Sequence, residues 1–121
     1  MENKKRILVV DDELPILNFL DIKLRVLGYE VITASRGLEA LELIDSARPD
    51  IVLLDVIMPG MDGFGVLQEL RTHSNLPVIV FSARLENKQK ALSLGANAFL
   101  SKPFDVDDLV SRIQRLLDQK K

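Results

Sequence analysis

Apolar residues recur along the chain in five short runs, Ile7 to Val10, Val31 to Ala34, Ile51 to Leu54, Val78 to Phe81 and the weaker Ala98 to Leu100. Most are β-branched or Leu-rich and do not alternate with polar residues, the pattern of strands covered on both faces. Between them the apolar positions take helical spacing: Leu17, Leu20, Leu24 and Leu27; Ala40, Leu41, Ile44 and Ala47; Phe64, Leu67 and Leu70. A fourth helix, roughly Glu86 to Leu94, has few apolar residues, whereas Val106, Leu109, Val110, Ile113, Leu116 and Leu117 form the clearest amphipathic stripe. Strand and helix alternating five times predict an α/β domain, a doubly wound five-stranded parallel sheet with helices on both faces, occupying residues 1–121 as a single domain.

The joints between these elements are chemically unequal. Those running from helix to strand hold stop and turn residues, with Gly28 and Gly95 expected as C-terminal caps and Pro49 and Pro77 opening strands. Those running from strand to helix hold Asp11-Asp12-Glu13, Asp55, Ser82 and Ser101-Lys102-Pro103. In a parallel sheet these latter joints share the carboxyl edge, where the crevice at a reversal of strand order holds ligands. The reactive side chains are therefore expected on one edge.

Composition narrows the functional classes. A chain of 121 residues, 47% hydrophobic and 28% charged, suits one domain. It has no cysteine, which excludes disulfides, thiolate metal sites and sulfur nucleophiles. Sixteen basic residues against 18 acidic ones give a net charge of −2, which argues against direct nucleic-acid binding through a broad positive field. The polar start Met1-Glu2-Asn3-Lys4-Lys5 runs straight into an apolar segment, so neither a signal peptide nor a membrane span is expected, and a cytoplasmic location follows. The chain ends in Leu117-Asp118-Gln119-Lys120-Lys121 without an output domain, so action through a partner, or as a relay intermediate, is expected.

If the first and third strands are neighbours, Asp11, Asp12 and Asp55 converge. Two ionised carboxylates about 4 Å apart repel by about 4 kcal/mol at an effective dielectric near 20. Protons or a hard divalent cation must neutralise them, and ligation by a few carboxylates with water completing the shell suits Mg²⁺. A carboxylate beside such an ion is a competent nucleophile towards phosphorus. Lys102 would add a cation and Ser82 a hydroxyl for phosphoryl oxygens. Each residue also has a plainer reading: Asp11 and Asp12 as caps of a helix that begins near Pro15, Asp55 and Met58-Pro59-Gly60 as turn residues, Ser82 as an N-cap, Lys102 as a solvated lysine, Phe99 as core filler. His73, the one histidine, is expected to be solvated near a helix end.

Taken together, Val9-Val10-Asp11-Asp12-Glu13, the run from Leu53 to Gly63 containing Asp55 and Met58-Pro59-Gly60, Ser82-Ala83 and Lys102-Pro103-Phe104 resemble the receiver domain of two-component response regulators, over essentially the whole chain. The resemblance implies a flavodoxin-like strand order 2-1-3-4-5. It implies Asp55 as acceptor of a phosphoryl group from a sensor histidine kinase or histidine phosphotransfer protein. Mg²⁺ would be ligated directly by Asp12 and Asp55, by Asp11 through water and by the backbone carbonyl of Ile57. Lys102, followed by a cis bond to Pro103, would contact the phosphoryl group. Ser82 would swing towards it and Phe99 turn inward behind, remodelling the fourth helix, fifth strand and fifth helix for a downstream protein partner or fused output domain. Driving such a switch from 1:99 to 99:1 takes about 5.5 kcal/mol.

The resemblance implies a signalling module that assists its own phosphorylation and autodephosphorylation rather than an enzyme proper. Ile57 stands where fast-hydrolysing relatives often carry an amide, so a long-lived phosphoryl state is expected; Arg84 is long and cationic, and Phe99 replaces the frequent tyrosine. Gly95-Ala96-Asn97-Ala98 lacks an acidic pair found in many winged-helix regulators, which leaves a phosphorylation-dependent homodimer without that support. Two other classes compete: a Mg²⁺-dependent aspartyl phosphatase, which would place Asp-x-Asp where this chain has Asp11-Asp12-Glu13, and a flavin or nucleotide binder, which would need a Gly- or Ser/Thr-rich loop there.

Overall fold

The computed structural model describes residues 4–58, 60 and 62–119. Pro59 and Met61 of the third-strand motif, the first three residues and the last two lie outside the described residues. Five strands, β1 (Arg6–Val10), β2 (Glu30–Ala34), β3 (Ile51–Asp55), β4 (Val78–Ser82) and β5 (Ala98–Ser101), alternate with five helices, α1 (Leu14–Val26), α2 (Gly37–Ala47), α3 (Gly63–Arg71), α4 (Asn87–Ser93) and α5 (Val106–Gln119). The strands form one sheet in the order β2-β1-β3-β4-β5, every pair parallel.

Strand periodicity divides the core in two. Leu8, Val10, Val52, Leu54, Val78 and Val80 face the layer of α2, α3 and α4, packing with residues such as Ala40, Leu67 and Ala91. Their neighbours Ile7, Val9, Ile51, Leu53, Ile79 and Phe81 face α1 and α5, meeting Leu17, Leu20, Leu24, Leu109, Ile113 and Leu117. A strand covered on both faces has no polar side to alternate with, which is why β3 and β4 are buried at every position. Only Ala91 is fully buried in α4, matching its sparse apolar pattern.

The helix-to-strand joints are structural. Gly28 and Gly95 follow the ends of α1 and α4 with φ of 98° and 106°, the left-handed conformation expected of them. Arg48, just past α2, also takes a left-handed φ of 51°, a role the sequence did not signal because the residue is not glycine. Arg71, the last residue of α3, reaches the carbonyls of Gly95 and Ser74 and the side-chain oxygen of Asn97, which also accepts the Val78 N–H; this ties the start of β4 to the approach to β5. His73 is exposed beyond α3.

Candidate functional site

From β1 the chain passes to β2 on one side, and β3 lies on the other, so the carboxyl ends of β1 and β3 open into the crevice of the strand-order reversal. Asp11 follows β1 and Asp55 ends β3. They are 0% and 2% exposed and, with Ser82 at the end of β4, make up the buried polar residues among the described residues. Asp12 is the most solvent-facing of the three aspartates. Each aspartate offers an oxygen within 4.8 Å of the others, the one such cluster of His, Cys, Asp or Glu among the described residues.

Backbone and side-chain donors orient the buried carboxylates. Asp11 Oδ1 accepts the Glu13 N–H at 2.9 Å and Asp55 Oδ1 accepts the Ile57 N–H at 3.0 Å. The ammonium of Lys102, its side chain only 9% exposed, donates to Asp11 Oδ2 at 2.9 Å, Asp55 Oδ2 at 3.1 Å and Glu13 Oε1 at 2.8 Å. It also lies 5.1 Å from the ring centre of Phe81, which meets Phe104 edge to face. The peptide bond after Lys102 is cis. Lys102 is thus not the solvated lysine of the plainer reading. Nor do the aspartates cap α1, whose N-cap is Glu13 with no side-chain cap bond, and Ser82 does not cap α4, whose N-cap is Glu86.

Burial pushes the Asp11 carboxyl up to about 6; the Glu13 N–H and Lys102 oppose that shift and the charge of Asp55 adds to it. Burial alone would lower the Lys102 ammonium, but hydrogen bonds and charge from Glu13, Asp11 and Asp55 together outweigh it and hold the group above the ordinary lysine value. The pocket therefore sets one ammonium among four carboxyl groups, those of Asp11, Asp12, Glu13 and Asp55.

Ser82 sits one strand over. Its hydroxyl oxygen accepts from the Arg84 N–H and the Asn87 side-chain amide, each at 3.0 Å. The Ser82 carbonyl accepts the Lys102 N–H at 2.7 Å, and Ser82 is in register with Ser101. Phe99, 8% exposed, packs into the core layer of α2, α3 and α4. The side chain of Ile57, 44% exposed, shares a groove with Arg84, Asn87 and Lys90, and Lys90 lies over the Phe64 ring at 4.4 Å. Sequence reasoning missed the parts played by Glu13, Asn87 and Phe81. Glu13 adjoins the aspartates and was open to inference; the other two depend on side-chain packing that periodicity does not encode.

Two buried carboxylates and a third at the rim, with only oxygen donors, suit a hard cation, and a lysine bonded to both buried carboxylates is placed to meet an oxyanion attached to either. No helix among the described residues is long and apolar enough to cross a membrane.

Known proteins share this arrangement of elements. Residues 7–114 match the family described as "Response regulator receiver domain". The chain is 46% identical over 117 residues to the probable transcriptional regulator ycf27 of Cyanophora paradoxa, covering 95% of this chain and 49% of that protein. It is 47% identical over 120 residues to its counterpart in Porphyra purpurea, covering 97% and 49%. The chain therefore spans about half the length of the curated relatives it matches. Among solved structures, the receiver domain of the Francisella response regulator 1452 superposes with a TM-score of 0.92 at 36% identity, covering 98% of this chain and 100% of that one. The response regulator protein TrrA of Thermotoga maritima, in complex with Mg²⁺ and BeF, gives 0.86 at 37% identity, covering 93% and 98%.

Proposed function

We propose, on the premise that the chain belongs to the family of response regulator receiver domains, that Asp55 is the residue phosphorylated in this protein. Membership makes the protein a phosphorylation-operated switch of two-component signalling, a signalling module whose partners include histidine kinases. The observation that supports the assignment is that Asp55, alone among the three clustered aspartates, both ends the central strand β3 and accepts hydrogen bonds from Lys102 and the Ile57 N–H. In the transfer, an Asp55 oxygen forms the new O–P bond as the P–N bond of a phosphohistidine breaks and the imidazole retains the electron pair. Lys102 then holds a phosphoryl oxygen, and Ser82 donates its hydroxyl hydrogen to another.

The cluster fits Mg²⁺ because all its donors are oxygen and three lie within 4.8 Å of one another. Asp12 and Asp55 would hold the ion directly, Asp11 through water and Ile57 through its carbonyl; bound there, it would shield the incoming phosphoryl group from carboxylate charge. The donor is a sensor histidine kinase or histidine phosphotransfer protein, and the readout is a downstream protein partner or fused output domain, within the cytoplasm. The whole chain acts as one receiver domain that assists its own phosphorylation and dephosphorylation. The exposed hydrocarbon of Ile57, facing the groove where an attacking water would be aligned, slows phosphoryl loss.

Incubation with acetyl phosphate and Mg²⁺, followed by mass spectrometry, tests these assignments together. The expected label is on Asp55, absent from Asp55→Asn, and it decays faster in Ile57→Asn than in the wild type. Label on another residue, or equal labelling of Asp55→Asn, overturns the acceptor assignment; an unchanged or slower decay in Ile57→Asn overturns the role of that side chain.

A further inference from the structure

We propose that Asn87 is a positioning residue that fixes the Ser82 hydroxyl as a hydrogen-bond donor for the phosphoryl group, an inference that rests on the function proposed for Ser82. Three hydrogen bonds close a small ring at the start of α4. The Arg84 N–H donates to Ser82 Oγ at 3.0 Å, the Asn87 N–H donates to the Arg84 carbonyl at 3.1 Å, and the Asn87 side-chain amide returns to Ser82 Oγ at 3.0 Å. A serine hydroxyl has two acceptor lone pairs and one hydrogen. Both lone pairs are occupied here, so donation is the one capacity left. That is the capacity a phosphoryl oxygen requires, since it can only accept.

The surroundings make the ring effective. Ser82 is 0% exposed, so no bulk water competes for its oxygen, and its own carbonyl is held by the Lys102 N–H. The backbone of residue 82 therefore cannot follow its side chain freely, and the hydroxyl's direction is set by Arg84 and Asn87. The Arg84 contribution comes from the main chain and survives any substitution except proline. Asn87 is the member that sequence can change. It is also the first residue of α4, so the bond attaches that helix directly to the group that senses phosphorylation.

The test is the affinity of the protein for beryllofluoride, a phosphoryl mimic, measured calorimetrically in saturating Mg²⁺. Ser82→Ala and Asn87→Ala should each weaken binding about three- to tenfold, the range for loss or misdirection of one hydrogen bond. The double variant should be no weaker than Ser82→Ala, because without the hydroxyl Asn87 has nothing to orient. Asn87→Asp should weaken binding at least as much as Asn87→Ala, since a carboxylate would take the hydroxyl hydrogen for itself. The affinity for Mg²⁺ alone reports whether the aspartates are still in place and should stay constant across the series. If Asn87→Ala or Asn87→Asp binds like the wild type, or if Asn87→Ala costs the same factor with and without the Ser82 hydroxyl, the inference fails while the role of Ser82 stands. If Ser82→Ala itself binds like the wild type, both fail.

Discussion

Replacing Asp12 by asparagine keeps the side-chain shape and removes one charge from the cluster, and it is expected to stabilise the metal-free protein. Asp12 lies within 4.8 Å of carboxylate oxygens on both Asp11 and Asp55, and it makes no ion pair with a described residue. At that distance each like-charge pair repels by about 3.5 kcal/mol at an effective dielectric of 20 and about 0.9 kcal/mol in bulk water. Asp12 is the most solvent-facing of the three, so the lower figure governs and two neighbours give about 2 kcal/mol. The Lys102 ammonium offsets about half, leaving roughly 1 kcal/mol, which for a domain of this size is about 3–6 °C in Tm. Thermal unfolding in EDTA should therefore place Asp12→Asn a few degrees above the wild type. Adding Mg²⁺ should reverse the order: at ten times its dissociation constant a bound ion stabilises the folded wild type by about 1.4 kcal/mol, and the variant, whose ligand there is a neutral amide oxygen, gains much less. An Asp12→Asn protein that melts below the wild type in EDTA, or that gains as much from Mg²⁺, would refute the reasoning.

The other predictions concern protons and backbone. With Asp11 pushed up to about 6, protons compete with Mg²⁺ below that pH, so the measured Mg²⁺ affinity should be level above pH 7 and fall towards about tenfold per unit below pH 6; a flat profile would contradict the shift. In the metal-free protein the same group acts on stability with the opposite sense. Its folded value lies above its ordinary 3.8, so the folded state binds the extra proton and this contribution to stability rises as pH falls from about 6 towards 4, levelling off below. Melts in EDTA with Asp11→Asn as reference should show that slope, and identical pH dependence in the two proteins would exclude it. Finally, a Cβ at Gly63 would stand 2.3 Å from the Asp55 carbonyl oxygen and 2.6 Å from the Val56 Cα, neither of which can rotate away. Gly63→Ala should cost about 1–3 kcal/mol by overpacking and lower the yield of phosphorylated Asp55; wild-type stability and labelling would show that the loop yields.

The strands were legible because each carries a short apolar run, interrupted only by Thr33 in β2, and all five runs lie inside observed strands. What the runs omitted were polar ends: Arg6, Glu30, Asp55, Ser82 and Ser101 all belong to strands. They join through backbone pairing, Arg6 with Glu30 and Ser82 with Ser101, which no side-chain pattern reports. The three aspartates were legible as a cluster because the alternation of strand and helix fixes which loops share an edge. Lys102 was legible as a cation at the same edge, but not its burial: a lysine by itself reads as solvated, and it is the convergence of Asp11, Glu13 and Asp55 on its ammonium that holds it inside. Asn87 carried no signal: it opens the helix with the weakest pattern, and its amide matters only through the direction of one hydroxyl.

The bond from the Lys102 N–H to the Ser82 carbonyl carries a practical consequence for building hybrid regulators. The hydroxyl and the ammonium ride on directly stitched peptides, so they are a single mechanical part drawn from two distant stretches of chain. A chimera that takes the β4 end from one relative and the β5 end from another would pair halves of different parts, even with both side chains unchanged. Crossovers placed before β4, so that both strand ends come from one parent, should preserve signalling where a joint between them does not.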